Sequence, residues 1–270
     1  PGVGLRIEGR PSVEIELGLT PLGGPIDPRP TFSVRAFVPD TWFVRLHQCS
    51  VQDSFLSYVG QQDPYSDRKW GRVLKTGLEG SRTVPLPGRA WLSLDLGGHL
   101  YWGKNVVENS SVSGTISLGQ TRTFAAGDLN VGVFAMAEHY ERNTDFVTFG
   151  HGGYFSPDLF WMIGPFVRWT SRLCERSWFD IQVGGGYFEY STDGADFYHE
   201  VDQGAADLIR EGARDNLTGR YQADEDQGIG VNAAIAGWHR LNEHVALGGF
   251  GRASTTSKYE EWQDGLSLRF

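Results

Sequence analysis

Leu92-Ser93-Leu94-Asp95-Leu96 alternates apolar and polar residues one by one. A period of two puts the three leucines on one face of an extended chain and Ser93 and Asp95 on the other. Val13-Glu14-Ile15-Glu16-Leu17 repeats the pattern near the start of the chain. Near its end Ile229, Val231, Ala233 and Ile235 share one face, and Gly230, Asn232 and Ala234 the other. In the last residues Leu266, Leu268 and Phe270 point one way, Ser267 and Arg269 the other. The reading is antiparallel β from end to end.

The same alternation and its turn residues give thirteen candidate strands, near 3–9, 11–19, 31–38, 41–48, 70–82, 89–102, 111–121, 128–140, 159–171, 176–190, 227–240, 244–254 and 262–270. Short connections fall at Pro39-Asp40, Pro85–Arg89, Ala125–Gly127, Arg172–Glu175 and Leu241–Glu243, and long ones over 20–30, 49–69, 141–158 and 191–226. Outer-membrane barrels pair short periplasmic turns with longer extracellular loops, so this asymmetry favours a transmembrane up-and-down β-barrel over a soluble sandwich. With the C-terminus in the periplasm, the short turns and the long loops segregate to opposite sides. The odd strand count then predicts that strands upstream of residue 1 complete the barrel. Val201–Ala213, with its spaced alanines, Leu208 and Ile209, is expected to form a short amphipathic helix in the last long loop.

Composition is compatible with this fold. The 270 residues include 36 glycines and 13% aromatics, with 21% charged residues, and aromatic girdles are a barrel feature. No apolar run is long enough for a transmembrane helix. A net charge of −9 argues against nucleic acid, which needs a basic footprint. Cys49 and Cys174 set no disulfide framework; the topology puts them at opposite ends of the barrel, too far apart to bridge. The histidines show no Cys/His ligand spacing, so no metal and no cofactor is expected. Pro1 is not a translation start, and the chain is expected to be a mature form or a fragment.

Two long loops carry specific strings. One reads Val51-Gln-Asp-Ser-Phe-Leu-Ser-Tyr-Val-Gly-Gln-Gln-Asp-Pro-Tyr65 and continues into Trp70-Gly71-Arg72-Val73. The other runs from Arg142-Asn143 to Gly150-His-Gly-Gly-Tyr-Phe-Ser-Pro157. With Thr20-Pro-Leu-Gly23 and Asn105-Val-Val-Glu-Asn109, these resemble the C-terminal domain of cellulose synthase operon protein C, the outer-membrane porin for cellulose. The resemblance runs from about residue 13 to the C-terminus and implies a sixteen-stranded barrel. It also implies upstream periplasmic tetratricopeptide repeats and an inner-membrane cellulose synthase as partners. Asp158 departs from the glutamine common at that position and puts an acidic group near the expected pore mouth.

Passage of cellulose or a related glucan needs aromatic platforms for sugar faces and polar groups for hydroxyls, each binding weakly enough to release. Asp53, Tyr58, Asp63, Trp70, Asp145, His151, Tyr154, Phe155, Asp158 and Trp161 are the candidates for that path. Trp70, Trp102 and Trp161 serve equally well as girdle residues. Ser54, Gly60, Pro64, Arg142, Asn143, Gly150, Gly152, Gly153, Ser156 and Pro157 shape the two loops, which are long enough to fold inward and narrow the lumen. Leu266, Leu268 and Phe270 resemble the signal read by the barrel assembly machinery, and outer-membrane lipids are the remaining partner. Alternatives are a general or other-polysaccharide porin and a purely structural barrel. A lipid-modifying hydrolase using His151 with Ser156 or Ser54 is a weaker one, since no nucleophile elbow accompanies the pair.

Overall fold

The structure is a computed structural model describing residues 2–64, 67–174, 176–198, 220–242, 245–255 and 260–269. The expected helix 201–213 and the terminal Phe270 lie outside the described residues. Thirteen strands follow one another in chain order as a single sheet, each antiparallel to its neighbours. They are β1 (Gly2–Ile7), β2 (Ser12–Leu19), β3 (Pro30–Val38), β4 (Trp42–Ser50), β6 (Lys69–Pro85), β7 (Ala90–Lys104) and β8 (Val106–Phe124). The series continues with β9 (Gly127–Tyr140), β10 (Leu159–Cys174), β11 (Ser177–Thr192), β12 (Asp224–Arg240), β13 (Ala246–Thr255) and β14 (Glu260–Arg269). A two-residue strand, β5 (Gln61–Gln62), pairs with β6 beside the path. A four-residue helix, α1 (Phe55–Tyr58), sits in the loop before it.

The alternation seen in the sequence divides this sheet into two faces. On β7, Leu96 and Leu100 are about three-fifths exposed (58% and 62%), while His99 and Tyr101 on the other face are buried (7% and 3%). Val44, Leu46, Val112, Ile116, Val133, Ile163, Val183 and Ile235 continue the exposed apolar face across the neighbouring strands. A contiguous apolar surface of this extent is foreign to water-soluble proteins and suits hydrocarbon. The opposite face carries the charges: Arg6 bridges to Glu14 at 3.5 Å, Arg35 to Glu14 at 3.8 Å, Arg45 to Glu79 at 3.6 Å and Arg168 to Asp180 at 2.8 Å. Apolar faces out and polar faces in, as a membrane barrel requires. β1 and β14 each pair on one side only within the described residues.

The expected strands match in number and order. One connection differs. The segment 103–110 reads as polar and was expected as a loop, yet β7 and β8 extend through it and meet in a tight reversal at Asn105. Asn105 has φ 50°, a left-handed conformation that asparagine tolerates better than most side chains. Its amide donates to the Lys69 carbonyl at 2.9 Å, so the reversal is tied to the adjacent strand. The long loops still gather at one end, now joined by the Asn105 reversal, and the other tight turns lie at the opposite end. Cys49 lies at the long-loop end of β4 and Cys174 at the short-turn end of β10, and Cys49 is a free thiol.

Candidate functional site: a capped cavity inside the sheet

The sheet curls far enough for distant strands to line one space. Arg45, Lys75 and Glu79 of β4 and β6 face a cavity of about 870 Å³ whose opposite wall includes Gln182, Asn232 and Arg252 of β11 to β13. Its lining is rich in hydrogen-bonding groups of both charge signs, set by the inward positions of each strand. Register explains their neighbours: Arg45 pairs with Glu79, and Gln182 with Ala234, which pairs with Arg252.

Above this cavity the long loops fold onto the inner wall. Tyr101 and Tyr140 are inward residues of β7 and β9, and Tyr154 from loop 141–158 stacks on Tyr101 at 4.8 Å. Val51, Leu56, Trp70, Val73, Val106 and Phe149 complete a buried apolar cluster with these tyrosines. Among the described residues the wall away from the cap has no such cluster, because its apolar face points outward. Arg72 locks the cap. Gly71 and Arg72 both have positive φ at a bulge in β6, and Arg72 is fully buried. Its guanidinium donates to the carbonyls of Pro21 (2.8 Å) and Ile26 (2.6 Å), and also to those of Gly23 and Tyr58. One cation thereby joins the Thr20-Pro-Leu-Gly23 loop to α1, and its planar fork suits several acceptors at once.

The second loop is fixed with equal density. Asn109 exchanges hydrogen bonds with the Arg142 backbone, its amide donating to the carbonyl at 2.8 Å and its side-chain oxygen accepting from the N–H at 3.0 Å. That amide also reaches the Tyr154 hydroxyl at 3.2 Å. Ser54 donates to the Gly152 carbonyl at 2.6 Å, and Ser156 accepts from the Thr144 N–H at 2.7 Å. The Gly150 carbonyl accepts from Val107 N–H at 2.9 Å, and Gly150 and Gly153 hold φ of 95° and 63° that disfavour any side chain. The strings that stood out as separate motifs are therefore one interlocked body.

Residues 1–270 match the family described as the cellulose synthase operon protein C C-terminus. The chain belongs to that family. Cellulose synthase operon protein C of Xanthomonas axonopodis pv. citri is 30% identical over all of this chain and 19% of its own length. The Pseudomonas fluorescens protein of the same name is 27% identical over 82% of the chain and 16% of its own length. That of Escherichia coli is 25% identical over 78% and 18%. The chain thus spans less than a fifth of the length of these relatives.

With the family's motifs located, the expected path residues separate into groups. Asp53 and Phe155 line the cavity, and the Phe155 N–H donates to the Asp53 carboxylate at 3.3 Å. Asp145 is exposed in loop 141–158 within electrostatic reach of Asp53; the surrounding protein mass and then the Asp53 charge push its carboxyl from 3.8 up to about 6. Tyr154, Trp70 and His151 are buried in the cap and do not line the cavity. Burial pushes the Tyr154 hydroxyl above its ordinary pKa. His151 Nε2 lies 2.9 Å from the Asp196 carbonyl, with Phe146 edge-on to its ring at 5.2 Å. Tyr58 is exposed on α1, and buried Asp63 shapes the turn holding Pro64, its carbonyl accepting from Asp67 N–H at 2.9 Å. Trp161 faces outward beside Tyr187 at 5.5 Å, and Trp102 outward near Arg29, both as girdle residues. Asp158 pairs with outward-facing His139 at 3.5 Å, so its charge lies at the outer rim and not at the mouth.

Loop residues bind the cap together: Asn143 donates to the Asp193 carbonyl at 2.7 Å, Pro157 accepts from Tyr140 N–H at 3.1 Å, and a Cβ on Gly60 would meet Ile26 at 2.6 Å. Among the described residues the Arg142 side chain pairs with its neighbour Glu141, at 3.9 Å. Leu266 is the most exposed large apolar residue among those described, at 87%. Sequence reasoning missed the inward aromatics. Trp91 and Phe166 belong to β7 and β10, yet their rings meet at 5.9 Å because Gly119 and Gly132 stand between them in the same row. Phe160, Phe188 and Tyr190 form a second ladder below Phe155. The readable signal was parity: each occupies an inward position where other strands carry polar residues.

Proposed function

We propose that this chain forms the wall of an outer-membrane pore through which cellulose, or a modified cellulose, leaves the cell. The observation that carries the reading is a polar cavity enclosed by a curled sheet whose outer face is apolar. The family relationship supports cellulose as cargo. Trp91, Phe166 and the Phe160–Phe188–Tyr190 ladder offer flat apolar surfaces to pyranose faces. Arg45, Glu79, Gln182, Asn232 and Arg252 offer hydrogen bonds to hydroxyls, shallow enough for release. Charges of both signs are mixed along the inner wall in ion pairs. That pattern favours a neutral polymer over the opposed charged rows of a general diffusion porin.

Translocation is passive, with direction supplied by the inner-membrane synthase and delivery by periplasmic tetratricopeptide repeats upstream. The short turns face the periplasm and the cap faces outward. The apolar face contacts outer-membrane lipid, and the Leu266–Phe270 segment engages the assembly machinery. A non-catalytic role is supported by the bonding of the two candidate nucleophiles, since Ser54 is held by Gly152 and Ser156 by Thr144 while His151 faces Asp196.

The test is single-channel conductance of the full-length protein in planar bilayers, with and without cello-oligosaccharide. Dose-dependent block by the sugar, weakened by Trp91→Ala with Phe166→Ala, is the expected result. Conductance indifferent to the sugar would favour a general porin and overturn the assignment of cargo.

A further inference from the structure

Three inward residues meet on the cavity wall where sequence spacing gives no hint of a site. His47 on β4 pairs in register with Gly77 on β6, and Gly77 pairs with His99 on β7. Two histidines flanking a central strand would ordinarily be held apart by the side chain between them. Here that position is glycine, and a Cβ on Gly77 would stand 2.2 Å from His99 Cδ2. The two rings consequently lean over Gly77 to a centroid separation of 5.7 Å. Glu79, two residues along β6 on the same face, brings Oε1 to 3.1 Å from His99 Nε2 and 3.7 Å from His47 Nε2.

The surroundings orient this group for a ligand. His99 Nδ1 lies 3.3 Å from the Ser111 hydroxyl, which fixes the ring with Nε2 toward Glu79. Arg45 Nη1 lies 3.6 Å from Glu79 Oε2 and leaves Oε1 to the imidazoles. His47 is 1% exposed, its Nδ1 has no hydrogen-bond partner, and its Nε2 comes no nearer to Glu79 than 3.7 Å. A buried ring nitrogen without a hydrogen bond is costly to keep, and a small turn of the ring that lets a nitrogen bind an ion lowers the cost. His47 and Glu79 also line the cavity, and Glu79, with 26% of its side chain exposed, is the member of the group that solutes reach.

The geometry points to a divalent transition-metal site of the zinc type, formed by His47, Glu79 and His99, with its remaining coordination positions facing the cavity. Two imidazoles and one carboxylate are a donor set that zinc-type ions accept with an open position. One atom from each residue lies within 4.8 Å of the others. Around a tetrahedral ion at about 2.0–2.1 Å from each ligand those separations become roughly 3.3 Å, so His47 closes by about an ångström. Arg45 and Lys75 share the wall and oppose a cation, which keeps the affinity below that of a closed structural site. Ser111 plays the outer-shell role that ligating histidines ordinarily require.

The experiment is a Zn²⁺ titration by calorimetry on the full-length protein in detergent, purified without a histidine tag. Cu²⁺ electron paramagnetic resonance on the same sample reads the ligands. One Zn²⁺ per chain is expected, weakened ~100-fold or more by His99→Gln or Glu79→Gln and ~10-fold by Ser111→Ala. The Cu²⁺ spectrum should show coupling to two imidazole nitrogens. The site is refuted by the absence of saturable one-equivalent binding, or by binding that survives both ligand substitutions in folded protein. If those variants fail to assemble, the wild-type spectrum decides, and fewer than two coupled nitrogens overturns the assignment.

Discussion

Along the wall each residue meets the partner its register dictates, so Arg45 faces Glu79 and Trp91 faces Gly119. In the cap, Arg72 reaches carbonyls 51, 49, 46 and 14 positions away along the chain. The wall has repeated backbone pairing and an apolar face turned outward, whereas the cap has a buried apolar cluster and side chains bonded to backbone. Stability in the wall is spread over many equivalent bonds. In the cap it is concentrated in a few residues, and single substitutions there should have large but local consequences.

The strongest test of that contrast is Arg72→Ala. Four carbonyls lose their donor in a buried or half-buried setting, and the cap should lose about 3 kcal/mol of opening free energy. Hydrogen exchange of the full-length protein should speed up over 20–30 and 51–64 while β11 to β13 keep their protection. Equal loss in those strands would show that wall and cap open as one unit. Tyr154→Ala comes next. Removing a fully buried ring stacked on Tyr101 should cost about 3 kcal/mol, again confined to the cap. Limited proteolysis within 141–158 is the readout, and unchanged cleavage would remove Tyr154 from the set of concentrated contacts.

The smallest effect concerns Asp145. Its carboxyl in the folded cap titrates at about 6, above its ordinary 3.8, so the folded state holds that proton more tightly than the unfolded chain does. The cap therefore loses stability as pH rises from about 4 to about 6, and this contribution is fully present only below that window. Exchange in loop 141–158 should quicken across it, and Asp145→Asn should flatten the profile. A profile unchanged in the variant would assign the dependence to another group.

How much was readable follows the same division. Alternation at Leu92–Leu96 and Ile229–Ile235 revealed strands and faces, since a period of two maps directly onto the two sides of a sheet. The start of β8 was missed because Asn105-Val-Val-Glu-Asn109 is polar and the hairpin there rests on one left-handed asparagine. Resemblance singled out two loops that the structure packs together, but it did not show how they pack. Trp70 and Tyr154 read as surfaces for sugar and turned out to be the cap's interior. Arg72 stood inside a quoted motif without being singled out, because its function needs a bulge with positive φ and acceptors from two other loops.

By itself the sequence determined an antiparallel sheet with an apolar outside and a polar inside, tight turns at one end and long loops at the other. These are local properties, set by side-chain alternation and turn chemistry within a few residues. Only the tertiary structure decided that four separated motifs lock into one cap, that Trp91 and Phe166 meet across two glycines, and that His47, Glu79 and His99 converge. Each of those depends on register between strands and on the room a glycine leaves. Both are settled by which chain segments lie side by side and not by the order of residues along one of them.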